Sequence, residues 1–150
     1  MISKRSCVDA AQPLITRLKE ELPAFLEYAP VGVADQHSEI LVQERRALAQ
    51  QVGQIKNISG IEIAILPMQF ARPRAAHRML TVYVTPSLNE AYDILSPHSP
   101  WLGWLSLDTE GLFSEGQAEE GLRQLQTLFI DSCVAGMLHQ LPLSKRDFVD

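Results

Sequence analysis

The sequence predicts an α+β fold: a small, mostly antiparallel sheet of about three strands with helices packed on it, closed by a long C-terminal helix. Three observations predict it. Apolar residues recur at spacings of three and four over residues 9–55 and again from residue 114, the period of one helix face. The period drops to two in the middle, where the residues at 61–66 and 79–85 are rich in β-branched side chains and bounded by Gly60, Pro67 and Pro86. Strands and helices are also partly segregated along the chain, which favours helices on one face of an antiparallel sheet over a doubly wound arrangement. No repeat or composition break divides the 150 residues, so residues 1–150 read as one domain, frayed at 1–8 and 144–150.

The first helix opens at Asp9, a good N-cap. Ala11, Leu14, Ile15, Leu18 and Leu22 make its apolar face, and Pro23 is expected to kink or restart it, because proline removes an amide and crowds the carbonyl four residues earlier. A second helix starts near Ser38, carries a narrow stripe of Leu41, Leu48, Val52 and Ile55, and turns Glu44, Arg45 and Arg46 toward solvent. Asn57 and Gly60 are its expected terminators.

Residues 61–66 form the first strand and residues 79–85 the second, with Leu80, Val82 and Val84 on the buried face and Tyr83 outward. Ser87 and Glu90 form a capping box that opens a short helix at 88–95. Pro97 and Pro100 stop it, and Trp101 to Leu107 is the third strand. A second capping box, Ser114 with Gln117, opens the long last helix, whose inward face is Ala118, Leu122, Leu125, Phe129 and Cys133. From Leu128 to Leu141 apolar residues surround that helix, so it needs cover on all sides, from the domain centre or from a second chain.

Composition excludes several classes. With 46% hydrophobic and 21% charged residues the chain is neither disordered nor a fibrous repeat. No stretch approaches eighteen apolar residues, so no membrane span is expected, and the N-terminus lacks the apolar run of a signal peptide. Thirteen Lys and Arg against eighteen Asp and Glu leave a net charge of −5, which repels a phosphate backbone and argues against nucleic acid. Two cysteines, Cys7 and Cys133, are too few for a disulfide scaffold, and a reducing cytoplasm is the expected address.

Against that acidic background Arg72, Arg74, His77 and Arg78 stand within seven residues of one connection. Guanidinium groups offer planar donors suited to phosphate or carboxylate, so this loop is the candidate anion site, weighed against a solvated loop paired with acidic neighbours. Trp101 and Trp104 are the densest aromatic feature and supply a candidate pocket wall or partner-facing surface. His37, His77, His98 and His139 lie in separate segments with no metal-ligand spacing, and the glycines fit no nucleotide fingerprint, so neither metal nor cofactor is expected. Cys133, between Phe129 and Met137 on an apolar helix face, reads as a core thiol and not a nucleophile.

No motif specifies a reaction. The leading expectation is a small non-enzymatic binding module, homodimeric because its apolar surface exceeds what three strands hide, that takes a protein partner or a small ligand. The alternative is an enzyme or sensor for a phosphorylated or carboxylated metabolite that uses the basic loop 72–78, with a tryptophan as pocket wall.

Overall fold

In the computed structural model the described residues are 2–29, 32–33, 35–72, 74, 77–107 and 116–134. They belong to two compact units, Met1–Pro86 and Ser87–Asp150.

The first unit opens with α1 (Lys4–Tyr28). Its N-cap is Ser3, whose hydroxyl accepts from the Ser6 amide at 3.1 Å, so the helix starts five residues before Asp9 and takes in the segment expected to fray. Neither Pro13 nor Pro23 breaks it. Each proline deletes one helical bond, at a cost of about 3 kcal/mol in an open helix. The apolar stripe runs unbroken past Pro13, through Cys7, Ala11 and Ile15 to the half-buried Leu18 and Leu22, and its packing on the sheet offsets the loss there; Pro23 lies beyond that stripe.

Next comes α2 (Gln36–Val52), capped by the Asp35 carboxylate, which accepts from the Ser38 amide at 2.7 Å. Gly53 ends it, donating to the Ala49 carbonyl at 2.9 Å. Here the expected helix stops early. Gln54–Ile58 is a strand, β1, that pairs antiparallel with β2 (Ile61–Pro67) through the two-residue turn Ser59–Gly60. Both turn residues have positive φ, 53° and 86°, the type I′ geometry that matches strand twist. Asn57 Oδ1 accepts from the Gly60 amide at 3.1 Å, so the polar residues that read as helix terminators build a hairpin instead.

The sheet is mixed, which corrects the antiparallel expectation. Its order is β1-β2-β3, and β3 (Met79–Val84) runs parallel to β2, with Glu62 opposite Met79 and Pro67 opposite Val84. The connection from Met68 therefore returns along the whole strand before β3 begins, starting with a 3₁₀ turn at Met68–Phe70. Arg78 adopts φ 59° at the re-entry, and its carbonyl accepts from the Glu62 amide at 3.0 Å.

Helices cover both faces. Cys7, Ala11 and Ile15 pack with Ile58, Ile63, Ile65, Val82 and Val84 on the α1 face. Ala49 packs with Ala64, Leu66, Met79 and Tyr83 on the α2 face. From Ile63 onward β2 is thus buried on both sides, which is why that part of it is a continuous apolar run and not an alternation. Of the β3 residues expected inward, Val82 and Val84 are half-buried, while Leu80 is 41% exposed.

In the second unit Ser87 Oγ accepts from the Glu90 amide at 3.1 Å and opens α3 (Leu88–Leu95), as its capping box requires. A 3₁₀ helix, Ser96–Trp101, follows, so Trp101 precedes the strand instead of starting it. β4 (Trp104–Leu107) pairs parallel with β5 (Asp131–Val134) in a separate two-stranded sheet. Between them α4 (Gly116–Gln126) packs on α3, with Gly121 against Leu88, and buries Leu122 and Leu125. Among the described residues the expected long C-terminal helix is not found: α4 ends at Gln126, and Cys133 stands in a strand. Two features pull the chain out of helix there. The Leu128 carbonyl accepts from Ser99 Oγ at 3.1 Å, and the Ile130 amide donates to the Gly103 carbonyl at 2.8 Å. The apolar stretch beyond Val134 and the tail at 144–150 lie outside the described residues.

Candidate functional site

The α2 face of the first sheet carries the site. On α2, Leu41, Arg45 and Leu48 follow at spacings of four and three, so all three turn toward the sheet. On β3, Thr81 and Tyr83 alternate onto the same face, opposite Ala64 and Leu66 of β2. Arg72 and Arg74, in the connection before β3, meet the Arg45 and Tyr83 side chains through their backbone groups.

Arg45 ties the layers together. It is only 8% exposed. Its Nη1 donates to Thr81 Oγ1 at 3.0 Å, and its Nη2 donates to the carbonyls of Arg74 at 2.6 Å and Arg72 at 3.4 Å. Tyr83 holds the same loop from the sheet side, its hydroxyl accepting from the Arg72 amide at 3.1 Å and donating to the Arg72 carbonyl at 3.3 Å.

Arg45, Arg72, Arg74 and Tyr83 border a half-open cavity of about 380 Å³. Leu41, Leu48, Leu66, Phe70 and Tyr83 give it an apolar body, and Arg45, Arg72, Arg74 and Glu44 give it charge. A buried charge ordinarily requires a paired counter-charge. Arg45 has none: its three partners are a hydroxyl and two carbonyls, and no carboxylate among the described residues lies within ion-pair distance of it. Its neighbour Arg46 shows the contrast. Arg46 forks onto Glu62 through Nε at 3.0 Å and Nη2 at 2.6 Å, which raises the guanidinium above its ordinary value and commits that carboxylate. Glu44 lines the cavity but forms no ion pair with Arg45, Arg72 or Arg74.

The structure divides the residues singled out in sequence. Arg72 and Arg74 line the cavity. His77 and Arg78 do not; both bond the Gly32 carbonyl, His77 Nε2 at 2.9 Å and Arg78 Nη2 at 2.6 Å, and so fasten the connection to the segment between α1 and α2. Trp101 belongs to the second unit and is 80% exposed, and the Trp104 side chain lies outside the described residues.

Sequence reasoning missed Arg45, and it set Tyr83 on an outward strand face as surface cover or a ligand donor. A signal for Arg45 existed. Leu41, Arg45, Leu48 and Val52 form one stripe at spacings of four, three and four, so a charge occupies a position where periodicity calls for an apolar residue. Tyr83 lies on the strand face opposite Val82 and Val84, and that face is also covered.

Other groups offer less chemistry. Burial pushes the Cys7 thiol above its ordinary value, which keeps it protonated and inert at neutral pH. In the second unit Asn89, Tyr92, Asp93, Glu120 and Gln124 border a wide polar groove between α3 and α4. Among the described residues no three His, Cys, Asp or Glu side chains converge to hold a metal ion, and no helix is long and apolar enough to cross a membrane. No family model, no curated protein and no solved structure matches the chain.

Proposed function

We propose that the first unit is a ligand-binding module whose ligand carries negative charge and sits in the cavity between α2, β3 and the connection at Ala71–Arg74. One observation carries this reading: Arg45 brings a guanidinium with no ion-pair partner among the described residues into the wall of a concave site, beside two further arginines. A buried cation left without an anion is costly, and an incoming carboxylate or phosphate supplies the missing partner. The cavity lies within the size range of small-molecule sites, about 300–1,000 Å³, and mixes an apolar lining with a few convergent polar groups as such sites do.

Thermal unfolding in the presence of individual carboxylates and phosphates tests it. An anion at about 100 times its dissociation constant adds about 2.7 kcal/mol, several degrees in a unit this small. Arg74→Ala removes an exposed guanidinium from the rim and is expected to weaken the shift. If no anion moves the wild-type transition, or if Arg74→Ala and Arg45→Met leave a shift untouched, the reading is wrong.

A second reading, self-association or docking to a protein partner, rests on a different observation. Tyr28 and Val33, at and just beyond the end of α1, are 90% and 95% exposed, and Phe25 is exposed one turn earlier. Sedimentation equilibrium at micromolar concentrations decides it: a strict monomer of 16.8 kDa rules out the homodimer.

A further inference from the structure

We propose that the ligand is a monocarboxylate with an apolar body of roughly six to ten carbons, its carboxylate on the arginines and its body against Leu41, Leu48, Leu66 and Phe70. This rests on the anion-binding reading above and narrows it in two respects.

The first is the lining. An inorganic anion has no use for a wall built of Leu41, Leu48, Leu66, Phe70 and Tyr83, and would leave most of that surface facing water. At liquid water's ~30 Å³ per molecule, a cavity of about 380 Å³ has room for about a dozen non-hydrogen atoms, roughly twice the five of a bare phosphate. Apolar surface of this kind rewards a hydrocarbon body, methylene by methylene.

The second is charge. Three of the five N–H groups of Arg45 are committed to Thr81, Arg72 and Arg74, leaving Nε and one Nη1 hydrogen without a partner among the described residues. Those two hydrogens point to opposite sides of the guanidinium, so Arg45 has too few donors left to meet the many acceptors of a phosphate. Glu44 stands on the same wall, unpaired with the arginines, and repels a dianion more strongly than a monoanion. The site thus selects for one negative charge and a greasy remainder.

Titration calorimetry with the linear acids acetate, butanoate, hexanoate and octanoate, with hexan-1-ol as the neutral analogue and with inorganic phosphate separates the possibilities. Affinity is expected to rise about fourfold per added methylene up to octanoate. Hexanoate is expected to bind at least tenfold more tightly than hexan-1-ol, and Arg74→Ala to erase most of that difference while leaving hexan-1-ol unchanged. Glu44→Gln is expected to strengthen phosphate severalfold and leave hexanoate within about twofold. A flat acid series, or phosphate binding more tightly than hexanoate, overturns the apolar monocarboxylate and leaves the anion reading standing. Hexan-1-ol binding as well as hexanoate, or no binding by any acid or phosphate, overturns both. Unchanged phosphate binding in Glu44→Gln overturns the selection by charge.

Discussion

Gly53→Ala is expected to be the most damaging small substitution in the first unit, because of where one methyl group would go. A Cβ built on Gly53 falls 1.9 Å from the Ile65 carbonyl oxygen and 3.0 Å from its carbon. Carbon and oxygen ordinarily approach no closer than about 3.3 Å, so relief requires a displacement of about 1.4 Å. No rotamer change provides it, since the obstacle is backbone. Ile65 is fully buried in the central strand and pairs with Gln54 on one side and Val82 on the other, so moving it disturbs both ladders. Overpacking at about 3 kcal/mol, with one or two weakened strand hydrogen bonds at about 1 kcal/mol each, gives a loss of about 4–5 kcal/mol. A unit spanning Met1–Pro86 has about 4–13 kcal/mol in total, so the variant melts some 20 °C lower or does not fold. Thermal and urea unfolding followed by circular dichroism measure this. Gly60→Ala is the control: it also inserts a methyl, at φ 86°, but meets nothing within 4 Å and is expected to lose only about 1 kcal/mol. A Gly53→Ala protein within about 1 kcal/mol of wild type, or one no worse than Gly60→Ala, refutes the close-approach argument.

Two further substitutions probe the α1 face. Gln54 Oε1 is buried without a partner among the described residues, and Gln54→Met, which keeps the shape and removes the acceptor, is expected to raise stability by about 1 kcal/mol in urea titrations. A loss of stability shows instead that the amide is satisfied. For Cys7, in a Cys133→Ser background, the native thiol is expected to resist Ellman's reagent at neutral pH and to react fully once unfolded. Its folded-state value is raised, so the thiol contributes stability below its ordinary value of 9.0 and loses it as pH climbs toward the folded value. Cys7→Ala is therefore expected to flatten the alkaline decline, and an identical slope in the two proteins refutes the burial argument.

The features legible in the sequence are those decided by neighbouring residues. Ser87 determines the start of α3 through its own hydroxyl, and the β-branched runs of β2 and β3 favour strand. What was not legible depends on partners far along the chain. Gln54–Ile58 has residues as suited to the end of a helix as to a strand, and only the edge of β2 decides between them. Strand direction was hidden for a similar reason: a connection of eleven residues after Pro67 permits either a hairpin or a return crossover, and the pairing of β3 along β2 takes the second. The site was half visible. Arg72 and Arg74 stand out as charge on an acidic chain, whereas Arg45 looks like one more solvated helix residue until its place in the apolar stripe is weighed. His77 and Arg78 belong to the same basic cluster but spend their donors on Gly32, a contact between segments about forty-five residues apart.

The two-residue turn at Ser59–Gly60 has a kinetic consequence. It joins β1 to β2 with almost no chain to close, and α2 leads into the same hairpin through a single glycine. A hairpin of this kind forms in about 1–10 μs, whereas joining β3 requires the whole return crossover to be gathered in and seating α1 requires the chain to reach the opposite face of the sheet from α2. Residues 36–67 are therefore the stretch that gains order earliest, and the arginines of the connection arrive last, onto a floor already laid.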